Sequence, residues 1–318
     1  MACSSSGTHG VSRGAGGNTS AGGSTSVGGD TSASAGGSSA LGGTNPGTTG
    51  GAQAVQTGGT VGTGGNPTLL IDAASPTAGA CRKVDLVISL DGSGSMSEEL
   101  KAMSTDVFPK LAGALLGIAS GLDDFRVGVI DACPMPSNFH TRGATTADCG
   151  FSSGQVWMES TSPRLVQEFS CVGDLYTADA QCRKANTDEQ PVSAAITALN
   201  DPVNAGFVRT DAVLVVMAIT DEDEQRFTFP TAQAMFDALV AVKGNPQAVV
   251  LLTVAGSRPC TGVYGGATEA VVLKELTALF QASARGVFWD LCAGRLEDGL
   301  STAMSTIETA CIELPQIL

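Results

Sequence analysis

Beyond residue 80 the apolar and polar positions of the chain fall into two alternating patterns. Continuous apolar runs at residues 84–90 (VDLVISL), 125–130, 213–219, 248–254 and 286–291 read as strands buried on both faces. Helical spacing follows the first of them, with apolar residues at Leu100, Met103, Val107, Leu111 and Leu115, Ser97 placed as an N-cap, and Glu98 and Glu99 in the first turn. The same period recurs over residues 191–200, 231–243, 267–284 and 296–312. Strands and helices alternating in this way predict an α/β fold, a doubly wound and mostly parallel sheet flanked by helices and built with right-handed crossovers. Ligands of such sheets gather at the carboxyl ends of the strands, so the loops that follow each strand are the place to look for chemistry.

Two stretches break the pattern. Residues 133–190 hold four cysteines, scattered Gly, Ser and Thr, and one short strand candidate at 156–158, and read as an insertion. Residues 1–80 are almost devoid of core-forming side chains, and from Ser4 to Asn66 the chain is nearly all Gly, Ser, Thr, Ala and Asn, with Gly-Gly pairs in a loose six-residue beat such as GGNTSA and GGSTSV. Such a segment cannot bury a core and is expected to be a disordered tail, a flexible low-complexity linker with an r.m.s. reach of roughly 45 Å. The expected organisation is therefore a tail over 1–80 and one domain over 81–318, with the cysteine-containing insertion inside it.

Charge narrows the choice of partner. The 318-residue chain carries a formal net charge of -14, and Arg13, Asp30 and Asp72 are the only charges in the first eighty residues, so nearly all of the excess lies on the domain. A surface of that sign repels polyphosphate, which argues against nucleic acid. No apolar run approaches the roughly 18 to 20 residues needed to cross a bilayer, so no transmembrane segment is expected.

Nine cysteines without a single C-x-x-C pair argue against a zinc ribbon or a dithiol redox site, and for disulfides formed in an oxidising, extracytoplasmic setting. Short-loop closure suggests Cys133 with Cys149 and Cys171 with Cys182. Cys81, before the first strand, then faces Cys311 in the last helix, and Cys260 is left for Cys292, although sequence alone leaves the connectivity of eight cysteines open. The ninth is Cys3. Met1-Ala2-Cys3-Ser4 resembles the end of a bacterial lipoprotein signal peptide, although the hydrophobic stretch that should precede it is absent. That resemblance implies lipidation of Cys3, a lipid anchor, and, with Ser4 after the cysteine, an outer-membrane or cell-surface location.

The chemistry-bearing residues stand at two strand ends. Asp91-Gly92-Ser93-Gly94-Ser95-Met96 follows the first strand and offers an acid and two hydroxyls at alternate positions on a tightly turning loop. Ile219-Thr220-Asp221-Glu222-Asp223-Glu224 closes the third run and brings more oxygen donors to the same sheet edge. Hard oxygen ligands of this kind suit Mg2+ or Mn2+. The constellation resembles the von Willebrand factor A domain, a Rossmann-like fold, and its metal-ion-dependent adhesion site, whose pattern is D-x-S-x-S, a distant Thr, and a distant Asp ending a strand. Asp91, Ser93 and Ser95 match the first part and Asp221 the last; the Thr position falls to Thr187 or is taken by Glu189, and Asp223 is a less certain donor. Glu222 departs from the family, which often has Gly there. The resemblance implies a cell-surface module that engages a carboxylate of a protein or peptide partner through the cation, with the loops at 171–182 and 256–266, including Arg258, setting specificity. The alternative is a disulfide-stapled envelope protein in which the metal serves only stability.

No enzyme is expected. His140 is the only histidine of the domain and is read as a surface loop residue, Ser93 sits in D-G-S-G rather than G-x-S-x-G, no Gly-Lys of a P-loop occurs, and Ser97 stands where a dinucleotide fingerprint needs its third glycine. Trp157, Trp289, Tyr176 and Tyr264 are too few and scattered for a base-stacking platform.

Overall fold

A computed structural model describes residues 83–117, 124–143, 147–175, 189–225 and 228–314. Cys3, the low-complexity segment, Cys81, Cys182, Tyr176 and Thr187 lie outside the described residues.

The sheet is built from β1 (Lys83–Leu90), β2 (Asp124–Asp131), β3 (Met158–Glu159), β4 (Val213–Ile219), β5 (Val249–Ala255) and, after a small hairpin of β6 (Cys260–Gly262) and β7 (Gly265–Ala267), β8 (Gly286–Asp290). Its order is β3-β2-β1-β4-β5-β8. Within this six-stranded sheet only the β2–β3 pair is antiparallel and the other pairings are parallel. Parallel neighbours need crossovers, and helices supply them: α1 (Ser97–Ala102), a π-helical turn at Met103–Val107 and α2 (Phe108–Gly117) follow β1, and α3 (Leu165–Val172), α4 (Pro191–Asn200), α5 (Ala232–Lys243), α6 (Val271–Gln281) and α7 (Leu296–Glu313) come later. This is the doubly wound α/β architecture expected from the sequence.

The continuous apolar runs arise because both sheet faces are covered. Along β1, Val84, Leu86, Ile88 and Leu90 join one core with Met103, Phe108, Leu111, Ala303 and Ile307, while Val87 points into a second core with Ile196, Met235 and Leu276. β4 divides in the same way, Val213, Val215, Met217 and Ile219 on one side and Leu214, Val216 and Ala218 on the other. Burying a Val, Leu or Ile side chain contributes about 1.5–3 kcal/mol, so these two layers dominate the stability of the fold. No helix among the described residues is long and apolar enough to cross a membrane.

The amino-terminal edge of the sheet is held by charge. Arg209 donates from its backbone N (2.6 Å) and from Nε (2.7 Å) to the buried Asp85 carboxylate, from Nη1 to Asp124 and from Nη2 to the Val84 carbonyl (2.9 Å). At the far side Arg285, fully buried, donates to the Gln247 carbonyl (3.0 Å) and to Glu313 Oε2 (2.9 Å), tying the last residue of α7 to the turns before β5 and β8. A buried guanidinium must find such partners or leave its charge uncompensated.

The insertion differs from its expected form. It contributes β3 at the sheet edge, one residue beyond the strand expected at 156–158, and contains the unforeseen α3, whose Phe169 packs edge-on against Phe108 at 5.8 Å. The expected pairs Cys133–Cys149 and Cys171–Cys182 are corrected: Cys149 bonds Cys171, because α3 carries Cys171 back against the loop at 149. Cys260 bonds Cys292 as expected. Cys133 and Cys311 each belong to a further disulfide, and are not bonded to one another. His140 is no surface residue: its side chain is 13% exposed, with Nε2 3.6 Å from Asp131 Oδ2. Trp157 is packing, as its ring meets that of Phe207 at 5.7 Å.

Candidate metal centre

β1 and β4 are adjacent and in register, so Leu90 lies beside Ile219 and the loops that follow leave the sheet side by side. Asp91 donates its backbone N–H to the Ile219 carbonyl (2.9 Å), one rung beyond the ladder, which fixes the first acid at the root of the second loop. The Asp91 carboxylate is completely buried. Its Oδ1 accepts the Ser93 N–H (2.8 Å) and its Oδ2 the Thr220 hydroxyl (2.8 Å). Ser93 and Ser95 share a hydroxyl hydrogen bond of 2.9 Å, and the Ser95 hydroxyl is near enough to Asp221 to favour its ionised form against the larger effect of burial. Asp91, Ser93 and Ser95 are thus linked by hydrogen bonds at the carboxyl edge, with Asp221 beside them.

Thr220 is a functional neighbour the sequence reading passed over. Its Oγ1 accepts the Glu222 N–H (3.1 Å) while donating to Asp91, so a single hydroxyl orients the first acid and shapes the loop carrying the second. The signal was present, a hydroxyl residue directly before an acid at the end of a buried strand.

Two of the acids that follow Asp221 are engaged by helix N-termini. Both oxygens of Asp223, the less certain donor, accept N–H groups at the start of α6, Val272 (2.9 Å) and Leu273 (3.2 Å), so it serves as a helix cap supplied from a distant loop. Glu224 is 2% exposed and accepts from Val192 N (2.8 Å), Ser193 N (3.0 Å) and Ser193 Oγ (2.6 Å) at the start of α4. The loop after β4 is therefore clamped between two helix N-termini. Glu189 lies beside it, its carbonyl accepting the Gln225 N–H (3.1 Å).

The β6–β7 hairpin closes the other side. Thr268, just after β7, donates its N–H to the Asp221 carbonyl (2.8 Å), and a Cβ on Gly256 would stand 2.0 Å from the Thr268 carbonyl oxygen. Gly256→Ala must therefore displace the strut that holds Asp221. Its expected cost is about 1–3 kcal/mol, read as a lower urea midpoint, and an unchanged midpoint would show that this approach is not tight. Arg258, in the same segment, is exposed.

Electrostatically the centre is overloaded with acid. Burial raises the Asp91 pKa, and burial together with the Asp91 charge pushes Asp221 up to about 6. Asp221 Oδ1 is buried without a hydrogen-bond partner, as are both carboxylate oxygens of Glu99 on α1. Hard oxygens, two of them hydroxyls, with an unsatisfied buried acceptor among them, are a donor set that could hold a hard divalent cation. A second group, Cys260, Asp290 and Cys292, has ligand atoms within 4.8 Å of one another, but the two sulfurs are bonded together, and Asp290 braces the pair by accepting from Ser257 Oγ (2.5 Å) and Cys292 N (3.1 Å).

No protein-family model matches the chain, and no curated protein matches it. Among solved structures it is similar to the manganese-loaded TRAP protein of Plasmodium vivax, with 15% identity over 72% of this chain and 74% of that one and a TM-score of 0.34. It is also similar to proximal thread matrix protein 1 of the mussel byssus, with 14% identity over 74% of this chain and half of that one and a TM-score of 0.38.

Proposed function

We propose that the domain is a cell-surface binding module of the von Willebrand factor A type, which engages a carboxylate of a protein or peptide partner through a divalent cation, Mg2+ or Mn2+. The observation that supports this reading best is the meeting of the linked Asp91, Ser93 and Ser95 with Asp221 at the ends of adjacent parallel strands, with Asp221 Oδ1 buried and unsatisfied. Ser93 and Ser95 would hold the ion directly, Asp91 and Asp221 would balance its charge, and Thr187 or Glu189 would complete the set. The bound cation supplies a Lewis-acidic coordination position for the partner's carboxylate. This chain's own part is to keep the donors in place. Thr220 orients Asp91, and Asp223 and Glu224 anchor the second loop on two helices, so little ordering remains to be done when the ion enters.

The disulfides favour an oxidising, extracytoplasmic location, and Cys3 is the site at which a lipid would tether the domain to an outer membrane. A binding role without turnover agrees with the residue inventory, since His140, the domain's only histidine, is held beside Asp131. Calorimetric titration of the metal-stripped protein with Mg2+ and Mn2+ is expected to show one saturable site, lost in Asp91→Ala, whose fold should survive under the disulfides. Wild-type protein that takes up neither ion, or an Asp91→Ala variant that binds as well as wild type, would rule the reading out in favour of a purely structural motif.

A further inference from the structure

Glu99 has no role in the D-x-S-x-S pattern, yet it is the least compensated acid of the described residues. Its residue is 0% exposed, and neither Oε1 nor Oε2 has a hydrogen-bond partner. With Asp221 Oδ1 these make up three of the four such oxygens among the described residues. Three other deeply buried carboxylates find donors: Asp85 in Arg209, Glu168 through Oε1 in Ser152 and Ser162, and Glu224 at the start of α4. The charged groups acting on Glu99 most strongly are themselves acids, Asp221, Glu98 and Asp91, so its surroundings deepen the penalty. A buried carboxylate left so is among the most expensive groups a fold can carry.

The chain nevertheless keeps room for it. Gly265, in the hairpin beside the centre, has φ +128, and a Cβ there would stand 2.5 Å from Glu99 Oε1. Glu99 lies on the first turn of α1, four residues after Ser95, and feels the charges of Asp221 and Asp91; the three carboxylates do not all come within 4.8 Å of one another, so Glu99 reaches the centre through its charge rather than as part of a close ligand set. A side chain this costly, in a space formed for it, calls for a cationic counterpart, and the protein atoms around it provide none of the hydrogen bonds it needs.

We infer that Glu99 is a third carboxylate of the metal centre, acting on the same divalent cation as Asp91 and Asp221 and raising the affinity of the site for the ion. The inference rests on the proposed function and deepens it. Two carboxylates balance a divalent ion; a third holds it with an excess of negative charge, so the centre is built to retain its cation. The same excess opposes the approach of a partner's carboxylate, making Glu99 a determinant of how strongly the partner must be attracted by its other contacts.

The test compares wild type, Glu99→Gln, Glu99→Leu and Asp91→Ala by titration with Mg2+ and Mn2+ alone, and by thermal melting in a chelator. Both Glu99 variants remove the charge at nearly constant volume, so at least one is expected to fold. The expected result crosses in sign: the Glu99 variants bind the ion about tenfold more weakly, yet melt at an equal or higher temperature than wild type when metal-free. A purely structural Glu99 would not move the two readouts in opposite directions. Wild-type affinity in both variants, with binding still lost in Asp91→Ala, overturns the role of Glu99 while leaving the proposed function standing. A wild-type protein that binds no ion removes both.

Discussion

Glu224→Ala is expected to destabilise the domain by about 3 kcal/mol at pH 5 to 6, because it orphans two buried backbone N–H groups and a buried hydroxyl at the start of α4. For a domain of this size that loss lowers the melting temperature by roughly 6–12 °C. Glu224→Gln keeps one acceptor oxygen but turns an amide NH2 toward a donor, so it should cost about half as much. The effect also reaches the metal centre. Glu224 and Asp223 anchor the loop that begins with Thr220 and Asp221, so the alanine variant should bind the cation more weakly although Glu224 itself faces a helix rather than the ion. Urea unfolding with an unchanged m-value would establish the stability change, and a loss below about 1 kcal/mol would mean that the clamp on α4 contributes little.

The elements that were legible in the sequence are those whose burial is set locally. β4 and α4 have the expected bounds, Val213–Ile219 and Pro191–Asn200. A strand covered on both faces shows an unbroken apolar run, and Pro191 at the first helical position marks where α4 can begin. Where long-range contacts decide, local pattern misled. The helix expected over 267–284 is shorter, Val271–Gln281, because Gly265–Ala267 is taken into a hairpin and Ala284 turns the chain at φ 56. Ser97, expected as the N-cap of α1, is instead its first helical residue, and the cap position falls to Met96, whose side chain makes no capping hydrogen bond.

The same division runs through the candidate site. Asp91, Ser93, Ser95 and Asp221 could be found because each follows a recognisable buried strand, and topology then brings the two strand ends together. Glu99 was hidden, since an acid in the first turn of a helix is ordinarily explained by the helix dipole. Asp223 and Glu224 were hidden for a related reason. An acidic run reads as solvated unless one knows that two helix N-termini, from residues some thirty to fifty positions away, point at it. The pairing of Cys149 with Cys171 likewise depends on α3, which the short-loop argument did not include.

Stripped of divalent cations, the protein is expected to lose stability as pH rises from about 4.5 to 7, the opposite of the usual behaviour of carboxylates engaged in ion pairs. Burial pushes both Glu99 and Glu224 up to about 7, against an ordinary value of 4.5, and Asp221 up to about 6. A carboxyl whose pKa is raised in the folded state holds its proton after the unfolded chain has released it. Its contribution is therefore largest below the unfolded value, declines between the two pKa values, and stays at its lower level above the folded one. The exposed acids Asp201 and Asp211 have lowered values and work the other way, below about pH 4, so they do not cancel the decline. On the proposed function, protons and a divalent cation would compete for oxygens of the centre, so the stabilisation by Mg2+ should grow over the window in which the metal-free protein weakens. Thermal melts at pH 5 and pH 8, in chelator and in saturating Mg2+, are expected to show a midpoint several degrees lower at pH 8 in chelator and most of that difference recovered with the ion. The variants divide the decline between its sources. Glu99→Gln should flatten the part that Mg2+ restores, and Glu224→Gln the part that persists with the ion bound. A chelated midpoint that rises from pH 5 to pH 8 would mean that these carboxylates are already ionised and compensated in the folded protein, and the account of the centre as a cluster of unsatisfied acids awaiting a cation would have to be abandoned.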